Sequence, residues 1–242
     1  MTFETHVFDP NTDHNNPAVA PSKYEVENRV TATFSWAKEL FGDNITSVGL
    51  VYAGRTGRHY SYVFGSNGIC TFGGLALADC GAEGDITGNQ LFYVPTGPTD
   101  PNITGDPGFL ADLDEFISSE DCLNGSRGGI VTRNNCETDW VNIFSIRLQQ
   151  EIKVGRTAFD LMLDIENVGN LLNSDWGRVD SYTAPSVVAP ANVAIPVAGG
   201  PYELTPTASY DPAVGASSVV SPPEIASLPS VYRIQFGVRF RF

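Results

Sequence analysis

Three histidines, His6, His14 and His59, are the only imidazoles in the chain, and none stands at a spacing from a serine or cysteine that would make a nucleophile and its base. No G-x-S-x-G elbow, phosphate loop or H-E-x-x-H pair is present. The Gly-rich stretch around Gly73 and Gly74 has no Lys-Ser/Thr after it, so it reads as a loop rather than a phosphate cradle. Asp112 and Asp114 could in principle share general acid–base work, although a solvated acidic face explains them as well. Asp9, Asn11 and Asp13 repeat the alternate oxygen ligands of a calcium loop, but His14 stands where the turn glycine belongs and no Glu follows at the twelfth position. The acidic run Asp79, Glu83, Asp85, Asp106, Asp112, Asp114, Glu115, Glu120 and Asp121 could draw cationic ligands or divalent ions, or serve solubility alone. These residues predict no enzyme, no cofactor and no resident metal.

Cys70, Cys80, Cys122 and Cys136 all fall in one polar stretch, and none forms a C-x-x-C pair. Two disulfides, Cys70–Cys80 and Cys122–Cys136, in an oxidising compartment are the favoured reading. Four separate thiols or a metal site are the alternatives.

The remaining charges fall into a pattern. Asp160, Asp164 and Glu166 alternate with Phe159, Leu161, Leu163 and Ile165, and Arg233, Arg239 and Arg241 alternate with Tyr232, Ile234, Phe236, Val238, Phe240 and Phe242. Period-2 alternation is the mark of a strand with two unlike faces. Three more runs share it: Val30 to Trp36, Val48 to Tyr52 with a continuation through Tyr60, Tyr62 and Phe64, and Trp140 to Ile152. The spacing therefore predicts an all-β protein with about five long antiparallel strands and ion pairs between the last two. Tight turns are expected at Gly42-Asp43-Asn44 and Val154-Gly155-Arg156, and long loops at 66–139 and 170–231. Short turns at one end and long loops at the other suit a transmembrane β-barrel, with the apolar parity toward lipid and the charges toward a watery lumen. Trp36, Tyr60, Tyr62, Trp140, Tyr232 and Phe242 would then stand in its aromatic girdles. A soluble β-sandwich, with that parity turned inward, is the competing architecture.

Composition agrees with a strand-rich chain. Charged residues are 17% of the 242, with 24 Gly and 16 Pro, and the net charge of −14 leaves no basic patch for nucleic acid. No segment reaches the roughly 18 apolar residues of a membrane helix, a scan to which membrane strands are nearly invisible. Residues Met1 to His6 show neither a basic nor an apolar export segment, so the expectation is a fragment of a longer reading frame.

Two stretches resemble a known family. Tyr232 to Phe242, closing on Phe, is similar to the terminal strand that the barrel-assembly machinery reads in outer-membrane proteins. Leu163 to Gly177, with its Leu-Leu-Asn-Ser-Asp-Trp-Gly ending, resembles the penultimate-strand region of TonB-dependent receptors of the Oar-like kind. Leu50 to Gly57, Tyr60 to Phe64 and Asn89 to Pro95 look like the same branch, so the resemblance runs from about residue 27 to the end. It implies the C-terminal part of an outer-membrane barrel, with residues 1–26 the remnant of an extracellular loop and 27–242 the barrel portion. The implied partners are outer-membrane lipid, the TonB system through a plug this sequence lacks, and an extracellular ligand such as an iron chelate. A structural or adhesive Oar-like protein without transport is the second reading, and a secreted sandwich module the third. Ligand contacts would come from the loop aromatics Phe72, Phe92 and Phe109 and from lumenal Arg147, Asp160 and Arg239.

Overall fold

Alternating side chains build the largest element of the chain. In the computed structural model, which describes residues 18–66, 71–72, 75–76, 91–182, 187–194 and 200–242, five long strands form one antiparallel sheet in sequence order. They are β1 (Arg29–Phe41), β2 (Asn44–Arg55), β3 (Val141–Val154), β4 (Thr157–Glu166) and β5 (Arg233–Arg241). The hairpins β1–β2 and β3–β4 close through two-residue loops whose first residue is glycine at positive φ, Gly42 at 62° and Gly155 at 60°. Glycine in that position is what a tight hairpin turn of matching twist requires.

Register sorts the faces. Phe34, Leu50, Ile146, Ile165 and Ile234 form one row across all five strands, and Trp36, Val48, Leu148, Leu163 and Phe236 the next. The opposite face carries Ser35, Gly49, Arg147, Asp164 and Gln235 in its corresponding row. Among the described residues no second layer covers the apolar rows: Phe34 is 59% exposed, Leu161 44%, Val238 68% and Phe236 78%.

The chain divides into two compact units. The sheet unit comprises Val26–Arg58, Thr138–Ser181 and Glu224–Phe242; the loop unit comprises Met1–Glu25, His59–Glu137 and Tyr182–Pro223. The expected extension of β2 through Tyr60, Tyr62 and Phe64 does not occur. β2 stops at Arg55, and Gly57 lies so close to the Thr138 carbonyl that a Cβ there would collide with it. The short strand His59–Tyr62 belongs to the loop unit, pairing antiparallel with Cys136–Glu137 and parallel with Val187–Val188. Its four residues are all buried, so Tyr60 and Tyr62 are core residues rather than girdle aromatics. Alternation reports that a strand has greasy side chains, and lipid and protein interior satisfy it equally.

The long loops are themselves folded. Helix α1 (Pro107–Ser119) begins where Asp106 caps it, its Oδ1 accepting from the Phe109 N–H at 2.9 Å, with Pro107 in the first turn. Phe109, Leu110, Leu113, Phe116 and Ile117 make one buried stripe on it. They join Tyr62, Phe64, Phe92, Val94, Leu123, Val193, Leu204 and Val219 in a single core. Each such side chain, fully buried, contributes about 1.5–3 kcal/mol. Tyr202–Leu204 runs parallel to Ile103–Gly105, and Asn192–Val193 parallel to Gly65–Ser66, so sequence-distant loops are tied together backbone to backbone.

Candidate functional site

The polar face of the sheet gathers most of its charge into pairs set by register. Arg147 on β3 holds Asp164 on β4 with two parallel bonds, Nε to Oδ1 at 2.5 Å and Nη2 to Oδ2 at 2.8 Å. Such a fork is the strongest geometry a guanidinium offers a carboxylate. Arg233 bonds Glu166, its directly opposed neighbour. Arg241 donates to Asp160 at 2.8 Å and also to Glu151 on β3 at 2.5 Å, and Lys153 stands 3.3 Å from Glu151.

The expected pairing of strands four and five joins Asp160 to Arg241 and Glu166 to Arg233 and is corrected at Asp164. Asp164 lies opposite Gln235 and turns to Arg147 on the other neighbour. Arg239 is in register with Asp160, yet it is Arg241 that reaches that carboxylate diagonally. Glu151 and Lys153 complete the network. Both sat on the charged parity of the third run, and only the register could tell that Glu151 comes opposite Asp160. Asp160 and Glu151 are buried among these partners.

A groove of about 660 Å³ opens on this face, lined by Thr33, Ser35, Arg147, Asp164, Arg233 and Gln235 and bounded by Leu228, Pro229 and Val231. At its end β4 gives way to the short helix α2 (Val168–Leu172) through Asn167, which adopts the left-handed conformation at φ 52°. The Asn167 amide donates to the Gly177 carbonyl at 2.9 Å and to the Ser230 carbonyl at 3.2 Å. Gly177 itself has φ 64°, and a Cβ there would strike the Asn167 side chain. The Asn-to-Gly stretch that carried the family resemblance is therefore a structural knot fastening the ends of β4 and β5.

In the loop unit, Cys122 and Cys136 are joined by a disulfide. Cys70 and Cys80, the calcium-like trio Asp9, Asn11 and Asp13, and the side chain of Phe72 lie outside the described residues. Phe92 and Phe109, expected to touch ligand, are 0% and 1% exposed and belong to the core, so they are not available for contact. Asp112 and Asp114 have separate partners: Asp112 accepts from the Tyr210 hydroxyl at 2.5 Å, and Asp114 pairs with Arg127 at 2.7 Å. That hydroxyl's bond to a carboxylate, with burial added, pushes the Tyr210 pKa up to about 12. His59 Nε2 stands 3.3 Å from Glu137 Oε1.

No known family, characterised protein or solved structure matches the chain.

Charge divides between the units without remainder. The loop unit holds 17 acidic and 3 basic residues, and the sheet unit 11 of each, so the whole net charge of −14 resides in the loop unit. Chemically, the polar face is a wall of fixed carboxylate–guanidinium pairs interleaved with hydroxyls, suited to lining a wet space. The loop unit repels anions and favours cations over its surface.

Proposed function

We propose that this chain is the C-terminal part of an outer-membrane β-barrel, that of a TonB-dependent receptor of the Oar-like kind, and that it serves uptake of large nutrients rather than catalysis. The observation that carries the reading is the sheet's apolar face, greasy across five strands and exposed along its length. Water would drive such a face to cover itself, whereas lipid leaves it where it is. The paired charges of the other face suit a watery lumen.

Stagger adds support. Thr46, two residues from the first turn, pairs with Gln150, four residues from the second. With both turns on one plane, a shift of about 7 Å across two strand spacings of about 4.8 Å corresponds to a tilt of about 35°, within the range of membrane barrels. Five strands fall short of the eight that close the smallest such barrels, so the reading requires further strands beside β1 and β5. The two long connections leave from the end opposite the turns, where extracellular loops belong, and the loop unit would meet the ligand.

Leu163→Arg, in the Trp36–Val48–Leu148–Phe236 row, tests this reading. On a lipid-facing strand it should destabilise the sheet by about 2–4 kcal/mol near the midplane. On a water-facing strand it should be neutral or improve solubility. The measurement is the urea midpoint of the chain in detergent micelles, beside its solubility without detergent. A monodisperse, detergent-free wild-type chain with a harmless Leu163→Arg would overturn the proposal.

A further inference from the structure

The outward rows of the sheet are largely apolar between Asn142 near the rim and Asn44 beside the first turn, with one interruption that runs across three strands. Lys38, Thr46 and Gln150 stand side by side in a single row on β1, β2 and β3, and the same row continues as Leu161 and Val238 on β4 and β5. Apolar residues flank this notch on both sides. Trp36, Val48 and Leu148 lie toward the rim, and Phe41, Ile152, Phe159 and Phe240 toward the turns, with polar Asn44 opposite Phe41 on β2. On β1 and β3 the notch is therefore not merely the point where the apolar band ends.

Two of its members satisfy each other. The Thr46 hydroxyl donates to Gln150 Oε1 at 2.6 Å, and Gln150 Nε2 donates to the Glu151 carbonyl at 2.7 Å. Both can thus sit against lipid without an orphaned polar group. Lys38 is exposed, and it brings the charge. At about 3.3 Å per residue on tilted strands, the row lies about 5–10 Å above the turns. The apolar band is about 25 Å tall on strands that span more than that, so this depth meets the headgroup edge of the leaflet on the turn side.

We infer that the notch is a lipid site, in which the Lys38 ammonium holds the phosphate of an anionic phospholipid while Thr46 and Gln150 accommodate its polar backbone region. Acyl chains run along the apolar rows above. The inference rests on the lipid-facing reading of this side of the sheet and adds to it a preferred headgroup charge and a place.

Trp36, two residues from Lys38 on the same face, reports occupancy. On a Trp140→Phe, Trp176→Phe background, the chain in detergent micelles is titrated with brominated phosphatidylglycerol and, separately, brominated phosphatidylcholine. Quenching of Trp36 should reach its midpoint at about fivefold lower phosphatidylglycerol than phosphatidylcholine, the effect of about 1 kcal/mol for one cation at a lipid surface. Lys38→Met, which keeps the apolar stem, should erase the preference while both lipids still quench, and Lys38→Arg should retain it. Equal quenching by the two lipids in the unmodified chain overturns the site, as does a preference that survives Lys38→Met. Loss of the preference on adding inorganic phosphate would mark a free-anion site and overturn the lipid assignment. Failure of both lipids to quench Trp36 would remove the lipid-facing reading itself, and the site with it.

Discussion

Asp100 shows how one side chain can organise a loop. It is almost fully buried, and its Oδ2 accepts from Thr96 N at 2.8 Å and from the Tyr93 and Thr96 hydroxyls at 3.0 Å each. Oδ1 accepts from Asn102 N at 2.8 Å. Burial by itself would raise the carboxyl's pKa, but the converging donors outweigh it and hold the group below its ordinary value of 3.8. A carboxyl whose folded-state pKa is depressed stabilises the fold above its ordinary value, and that stabilisation is lost as pH falls through the depressed one. Asp100→Asn, which sets an amide donor where acceptors are needed, should weaken the loop unit by about 1–3 kcal/mol at neutral pH. The gap between wild type and variant should close in strong acid. Near-UV circular dichroism followed through an acid titration checks both, and a gap that widened toward low pH would contradict the assigned sign.

At the scale of strands, the ladder on β3, β4 and β5 predicts unequal effects from similar-looking changes. Arg241 serves two buried carboxylates, so Arg241→Ala leaves Asp160 without this partner beside Glu151, which keeps Lys153. Half of the arginine is exposed and solvent screens part of the interaction, so the loss should be smaller than for a fully buried pair yet larger than that of Asp160→Asn. Asp160→Asn leaves Arg241 still paired to Glu151 and should lose about 1 kcal/mol or less. Urea midpoints of the two variants in the same micelles decide the order, and a larger loss for Asp160→Asn would mean that Arg241 is not the hub. The same strands explain why β2 ends where it does. The close approach of Gly57 to Thr138, with Arg58 N bonded to Thr138 Oγ1 at 2.9 Å, fastens the exit of β2 to the start of β3.

For the molecule as a whole, two compact units, one strongly acidic and one neutral overall, imply two separable stabilities. The Cys122–Cys136 bridge spans 14 residues within the loop unit alone. Opening it releases chain entropy of about 3 kcal/mol in the unfolded state. Reduction should therefore make the loop unit sensitive to protease and leave the β1–β5 sheet protected, as read from the fragments of a limited digest. Simultaneous loss of both would show that the units fold as one.

Much of the sheet was legible in the residues. Period-2 alternation located all five strands, and Gly42 and Gly155 marked both hairpin turns, because pleat and turn are local backbone properties. Helix α1 was also within reach, since Asp106-Pro107 and the stripe from Phe109 to Ile117 are a start signal and a period, overlooked beneath the acidic residues of the opposite helical face. The same local evidence could not separate Tyr60 and Tyr62, buried in the loop core, from Phe236 and Val238, exposed on the sheet, because all four alternate alike. Nor could it choose Arg147 rather than an arginine of β5 for Asp164, or set Lys38, Thr46 and Gln150 in one row. Those outcomes depend on register between strands up to about a hundred residues apart, and a shift of a single residue turns every side chain to the other face. Composition and periodicity determined which residues would be strands; only the tertiary pairing decided which of them meet.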